Sequence, residues 1–274
     1  QQGVNFDDRV AYLTRLRGEA AESVRRVYDD RLLMSWIYHD SALEGVVYTM
    51  EELRAAIAGQ SPPDASLVPT FDEIRSHKLA IDIVREYADK KRVAITLDTV
   101  KRIYGALAPD EVEGKGPPKY RKDMPVHRLY FHDIATPDKI QPQMKQLLDW
   151  MNSPETKRST HAVRLAAKAH FQMLHIYPFP KHTGKVARLL MNLVLLRHDF
   201  RGLVIKPDDH GGQHGDAVIA KLLEHLVGGS ALLLGVIGTR SLVADPETVN
   251  THLQNLRHGV LADGLDAGKD EDGR

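Results

Sequence analysis

Apolar residues recur at three- and four-residue steps along almost the whole chain, and the apolar–polar alternation of half-buried strands is nearly absent. That periodicity gives each segment one apolar stripe and predicts an all-α protein. Val10, Leu13, Leu16, Ala20, Val24, Val27 and Leu32 open the pattern, with Gly18 as the expected break. Thr49 and Glu52 form a capping box, in which hydroxyl and carboxylate each satisfy an orphan backbone donor, so a helix is expected to run from there to about Ala58.

The same pattern predicts helices over Phe71 to Tyr87, from a Thr96 cap to about Leu107, and over Pro137 to Met151, Ser159 to Ile176, Thr183 to Arg197 and Gly215 to Val227. Residues 61–69 and 109–125 are loops by their Pro, Gly and Lys content, and the second is long enough to suggest a working role. Val126 to Ile134 is expected to form a short β-hairpin. Nothing divides the chain convincingly, so residues 1–261 are expected to make one helical domain and residues 262–274 a disordered tail.

At 274 residues the chain can bury a sizeable core. It has no cysteine, which excludes disulfides, thiolate metal sites and cysteine nucleophiles and suits a reducing, cytoplasmic setting. Basic and acidic residues balance at 37 each, so the broad positive field of a nucleic-acid binder is lacking and charge recognition must be local. The most apolar stretch, residues 222–238, is interrupted by Glu224, His225 and glycines and reads as core rather than a membrane span. The first residues show no basic-then-apolar secretory pattern.

No HExxH is present, and Thr183-Gly184-Lys185 lacks the rest of a P-loop. His210 and His214 have metal-like spacing, but the paired glycines between them oppose a helix that would align the rings, and no metal site is expected. The informative stretch runs from Ala169 to Asn192: an apolar helix, a Pro-rich loop, then a second apolar helix for which Thr183 is a permitted N-cap. Lys181, His182, Lys185 and Arg188 surround that helix start, where free N–H groups and the macrodipole favour an anion. Two readings stand on physical grounds, a phosphate site and a solvated basic turn.

This stretch resembles the Fic (Fido) family, whose pattern is H-x-F-x-[D/E]-G-N-G-R-x-x-R followed by R-L-L-M-N. With Phe179 and Arg188 in register, Tyr177 falls at the family's base histidine and Lys181 at its metal-binding acid. His182 and Thr183 replace Gly-Asn, Gly184 matches, and Lys185 replaces the first arginine. Asp40-Ser41-Ala42-Leu43-Glu44-Gly45 resembles the family's S-x-x-x-E-G inhibitory helix, with Asp40 in the serine's place. Residues 116–121 and 126–134 resemble the approach to a target-binding flap, and residues 147–152 the helix after it. The resemblance implies a Fic-like core over about residues 70–200, an inhibitory-helix region over about residues 30–58, AMP transfer from ATP in active members, and association through the amino-terminal helices.

The substitutions bear on mechanism. Tyrosine has a pKa near 10, so only about one in a thousand would be ionised at neutral pH, and losing a placed base costs about 10²- to 10⁴-fold. His182 is the better substitute base, while His175 lies roughly 200° around the helix from position 177 and should point elsewhere. Lys181 removes an oxygen ligand and repels magnesium, so the ion is not expected through this motif, although the ammonium offers its own charge to a diphosphate. The resemblance implies that Glu44 pairs with Arg188 and obstructs a terminal phosphate. His210 and His214 replace an aromatic residue often found near the base, as stacking partners or as solvated loop residues.

Three functional readings follow. The first is a pseudoenzyme binding ATP, another nucleotide or another phosphate-bearing ligand through Lys181, Thr183, Gly184, Lys185 and Arg188. The second is a divergent transferase using Tyr177 or His182. The third is an interaction scaffold without a ligand. A protein target would dock at the flap, with no role for nucleic acid or membrane.

Overall fold

Helix boundaries follow local chemistry in the computed structural model, which describes residues 6–125, 134–200 and 202–205. Nine α-helices lie among them: α1 (Phe6–Glu19), α2 (Glu22–Ala42), α3 (Met50–Ile57), α4 (Val68–Asp89), α5 (Leu97–Leu107), α6 (Pro137–Asn152), α7 (Pro154–Ser159), α8 (Ala162–Ile176) and α9 (Thr183–Arg197). No strand occurs among the described residues, in agreement with the all-α expectation. The expected hairpin over residues 126–134 falls almost wholly outside the described residues, as do the helix expected from Gly215, His210, His214 and the tail.

The capping boxes form as expected. Thr49 N–H donates to the Glu52 carboxylate at 2.7 Å, and Glu52 N–H donates to the Thr49 hydroxyl at 3.1 Å. Thr96 caps α5 in the same reciprocal way with Thr99. Three boundaries differ from expectation. Gly18 lies inside α1, and the chain breaks at Ala20 and Ala21, where Glu22 supplies an acid for the first turn of α2. The helix expected from Ser159 starts three residues later, because Thr160 is extended and the His161 ring accepts from Val163 N–H to start α8, and a short helix not anticipated, α7, begins at Ser153 and Pro154 and ends at Ser159. Thr183 is the first residue of α9 rather than its cap, because its hydroxyl turns back to the preceding loop.

The described residues fall into two compact units, residues 6–30 and residues 31–205. In the first, Arg17 grips both carboxylate oxygens of Asp29, at 2.8 and 2.7 Å. In the second, α9 is the central element, packed against α8, α4 and α5. Val186, Leu189, Leu190 and Leu193 of α9 are fully enclosed, facing Ile74, Ile81 and Val84 from α4 and Ile103 from α5 within one core. A helix apolar on nearly every side belongs in such a centre, and only its polar first turn can serve a site.

The exit from α9 is pinned as well. Asn192 donates to Leu203 C=O at 2.9 Å and accepts from Leu203 N–H at 2.6 Å. Beside it, a Cβ at Gly202 would lie 3.2 Å from the Trp36 ring, so only glycine fits without a shift. Asn192→Ala removes the partner of two part-buried backbone groups and is expected to lower stability by about 1–2 kcal/mol, read as an earlier urea midpoint.

Candidate functional site

The site begins where α2 stops. Val46 N–H reaches back to Ser41 C=O and Gly45 N–H to Ala42 C=O, both at 3.0 Å, the paired bonds of a Schellman motif. Gly45 takes φ +84°, the left-handed position such a motif requires. Glu44 is thereby held on the closing turn, and Asp40 lies one helical turn earlier on the same face. Two carboxylates at a helix C-terminus oppose its macrodipole, so each needs a cation from elsewhere.

Arg188, in the second turn of α9, supplies it. Its Nη2 donates to Glu44 Oε1 at 2.9 Å, and its Nε donates to Asp40 Oδ1. The other Asp40 oxygen lies 2.9 Å from His77 Nε2 on α4, although the ring N–H is off the line to it. Asp40 and His77 are buried, while Glu44 is exposed. Burial alone would raise the Asp40 pKa, but Arg188 and His77 outweigh it and hold the carboxyl down to about 2. Gly184 makes room for this arrangement, because a Cβ there would lie 2.8 Å from Glu44 Oε1 and 3.0 Å from Arg188 Nη1.

The loop between α8 and α9 is bent by two non-glycine residues in the left-handed region, Tyr177 (φ +47°) and His182 (φ +57°). Each costs roughly 1–2 kcal/mol, so surrounding contacts must impose them. Phe179 is fully buried and stacks on Tyr104 with ring centroids 4.0 Å apart. The Thr183 hydroxyl donates to Phe179 C=O at 3.1 Å and accepts from Phe179 N–H at 3.2 Å. Arg121 completes the restraint. Its guanidinium donates to Tyr177 C=O at 2.6 Å, Asp123 C=O at 3.0 Å, Ile176 C=O at 3.4 Å and Ala135 C=O. The Ile176 and Tyr177 carbonyls close α8, where the dipole favours a cation.

Of the basic residues expected around the start of α9, Lys181, Lys185 and Arg188 are each paired with an acid. Lys181 contacts both oxygens of Asp110, at 2.7 and 2.5 Å, across a largely exposed pair, and the bond holds Asp110 below the usual carboxylate range. Lys185 is 2% exposed and reaches Glu73 Oε1 of α4 at 3.2 Å, tying α9 to α4 from inside. Three cations thus meet four carboxylates, counting Asp40, Glu44, Glu73 and Asp110. His182 is half-buried, and burial, reinforced by Lys185, lowers its pKa from the ordinary 6.5 and favours the neutral ring. Tyr177 is buried, and His175 is exposed with its ring 4.1 Å from that of Phe171. Among the described residues, no cluster of three or more His, Asp or Glu is arranged to hold a metal ion.

Sequence reasoning missed Asp40 as a partner of Arg188, and with it His77, Glu73, Asp110 and Arg121. Their signals are faint. Glu73 and His77 are one turn apart on α4, but nothing local says what they face.

This architecture defines a class: a helical domain whose central helix opens from a strained, buried loop into a ring of ion pairs. The Fic/DOC family model matches residues 94–195, a segment that holds α5, the loop and most of α9. The protein adenylyltransferase Fic of Nematostella vectensis is 27% identical over 177 residues, covering 63% of this chain and 40% of the relative. That of Drosophila willistoni is 28% identical over 196 residues, covering 68% and 36%. The chain therefore spans well under half the length of these curated relatives. A Fic-domain signaling protein from Bacteroides thetaiotaomicron shares the fold with TM-score 0.65 at 20% identity, over 96% of this chain and 99% of that one. A fragment of Fic-1 from C. elegans does so with TM-score 0.62 at 18% identity, over 93% and 72%. Asp40, Glu44, Glu73 and His77 lie outside the family match.

Two outcomes are expected from the geometry. The folded pKa of Asp40 is depressed from 3.8 to about 2, so its contribution, about 2 kcal/mol, is present above about pH 4 and lost as pH falls through about 2. Urea midpoints against pH should show the wild-type advantage over Asp40→Asn shrinking in that window. Arg121→Met strands several buried carbonyls and should cost about 3 kcal/mol or more, with Arg121→Lys recovering only part because it lacks the planar fork.

Proposed function

We propose that this chain is a Fic-fold protein that binds a nucleotide or another phosphate-bearing ligand at the start of α9, without the usual magnesium-assisted AMP transfer, and that Glu44 keeps the site closed. The observation that carries this reading is the Glu44–Arg188 pair, 2.9 Å long and lying over Gly184. Glu44 there occupies the ground a terminal phosphate would need, at a helix start suited to negative charge. The curated relatives named protein adenylyltransferase support nucleotide as the ligand class.

The cations differ in what they can offer. The Lys181–Asp110 pair is exposed, worth about 0–1 kcal/mol, and exchanges readily for a phosphate. Arg188 presents its terminal nitrogens beside Gly184. Lys185 serves from behind, as an internal tie through Glu73. With Lys181 where the family carries a metal-binding acid, the ligand's charge is met by an ammonium instead of an ion.

One observation favours a second reading, a divergent transferase. Burial lowers the His182 pKa and so favours the neutral imidazole in the loop itself, a stronger base for a hydroxyl proton than the Tyr177 phenol. In either reading a protein target would dock through residues 126–134.

Calorimetric titration of ATP, ADP and AMP, with magnesium and with chelator, tests the proposal. Wild-type protein should bind ADP weakly and ATP more weakly still. Glu44→Gly should tighten both at least tenfold, regardless of chelation, and Arg188→Ala should abolish binding. Equal affinities in wild type and Glu44→Gly would refute closure by Glu44. Added AMP mass on a protein target, lost in His182→Ala, would establish the transferase instead.

A further inference from the structure

Arg188 is gripped from two sides by carboxylates that differ in kind. Glu44 approaches Nη2 from the partly exposed turn after α2. Asp40 approaches Nε from a position only 3% exposed, and its backbone carbonyl lies 3.4 Å from Nη2. Behind Asp40, His77 fills the last space at 1% exposure, with Nε2 2.9 Å from Oδ2 and no protein partner at Nδ1. The opposite edge of the guanidinium faces the start of α9, where Nη1 lies 3.0 Å from the position of a Gly184 Cβ.

A guanidinium is a rigid plane, so fixing Nε by one acceptor and Nη2 by a carbonyl of the same residue leaves one orientation for the whole fork. Glu44 adds charge at the rim but is not needed for that aim. We propose that Asp40, backed by His77, is the positioning residue for Arg188: it holds the fork pointed at the start of α9 whether or not Glu44 is in place. This rests on the reading of that helix start as an anion site. Glu44 then caps a fork that is already aimed, and a ligand that displaces it binds without reordering Arg188. Because Asp40 also neutralises Arg188, recognition depends on fork geometry more than on net charge. An acceptor without charge should therefore serve almost as well as the carboxylate.

The test has a ligand-free arm and a ligand arm, both on the full chain. In ¹⁵N spectra of arginine side chains, the Arg188 Nε–H signal, assigned by its loss in Arg188→Lys, should exchange with water at least tenfold more slowly than those of exposed arginines. That protection should persist in Glu44→Gly and Asp40→Asn and disappear in Asp40→Ser. In the second arm, ADP affinity in the Glu44→Gly background should fall at least tenfold with Asp40→Ser and return with Asp40→Asn. Loss of Nε–H protection in Glu44→Gly, or its survival in Asp40→Ser, overturns the role given to Asp40. If Asp40→Ser does not fold, the Glu44→Gly spectrum still decides. Failure of Glu44→Gly to bind ADP, with protection intact, would refute the anion site and leave the positioning role standing.

Discussion

A buried guanidinium needs a partner, and most of this site follows from where that partner comes from. Arg188 sits on the most enclosed helix of the fold, while its carboxylates are borne by the end of another helix far away in the chain. Removing the buried partner, Asp40, would leave the largely enclosed charge with only the exposed Glu44. The contact therefore fixes how α2 ends against α9. It also explains the glycine at 184, since any side chain there would intrude on the pair.

The same economy governs the rest of the ring. Each basic residue around the start of α9 brings its own acid from a different element: Asp110 from the turn after α5, Glu73 from α4, Asp40 and Glu44 from the end of α2. A helix start that would attract an anion in isolation is thus already satisfied. On the proposed reading, ligand entry is an exchange of carboxylate for phosphate rather than the filling of an empty positive pocket. Such an exchange selects for geometry, because the net charge gained is small.

Short-range chemistry was legible from the residues alone. The Thr49–Glu52 and Thr96 caps, the extent of α9 and the all-helical pattern depend on neighbours within one turn. The Glu44–Arg188 pair spans 144 positions and could be anticipated only through family resemblance. Asp40 carried no such precedent, because its partners His77 and Arg188 meet only when three helices converge. Lys185 looked like a surface cation, yet its place on α9 turns it inward to Glu73. Arg121, in a stretch rich in Gly, Pro and Lys, had every mark of a solvated loop residue; four carbonyls separated in the chain by up to 54 positions account for its burial, and periodicity cannot foresee such convergence.

Arg121 has one more consequence. The carbonyls of Asp123 and Ala135 flank residues 126–133, and the same side chain that holds both also holds the backbone of Tyr177. Asp123, Ala135 and Tyr177 are in effect fastened together by one planar group. A single planar side chain thus makes three separate stretches of backbone answer to one another, so that displacing any one of them is felt at the turn that closes α8.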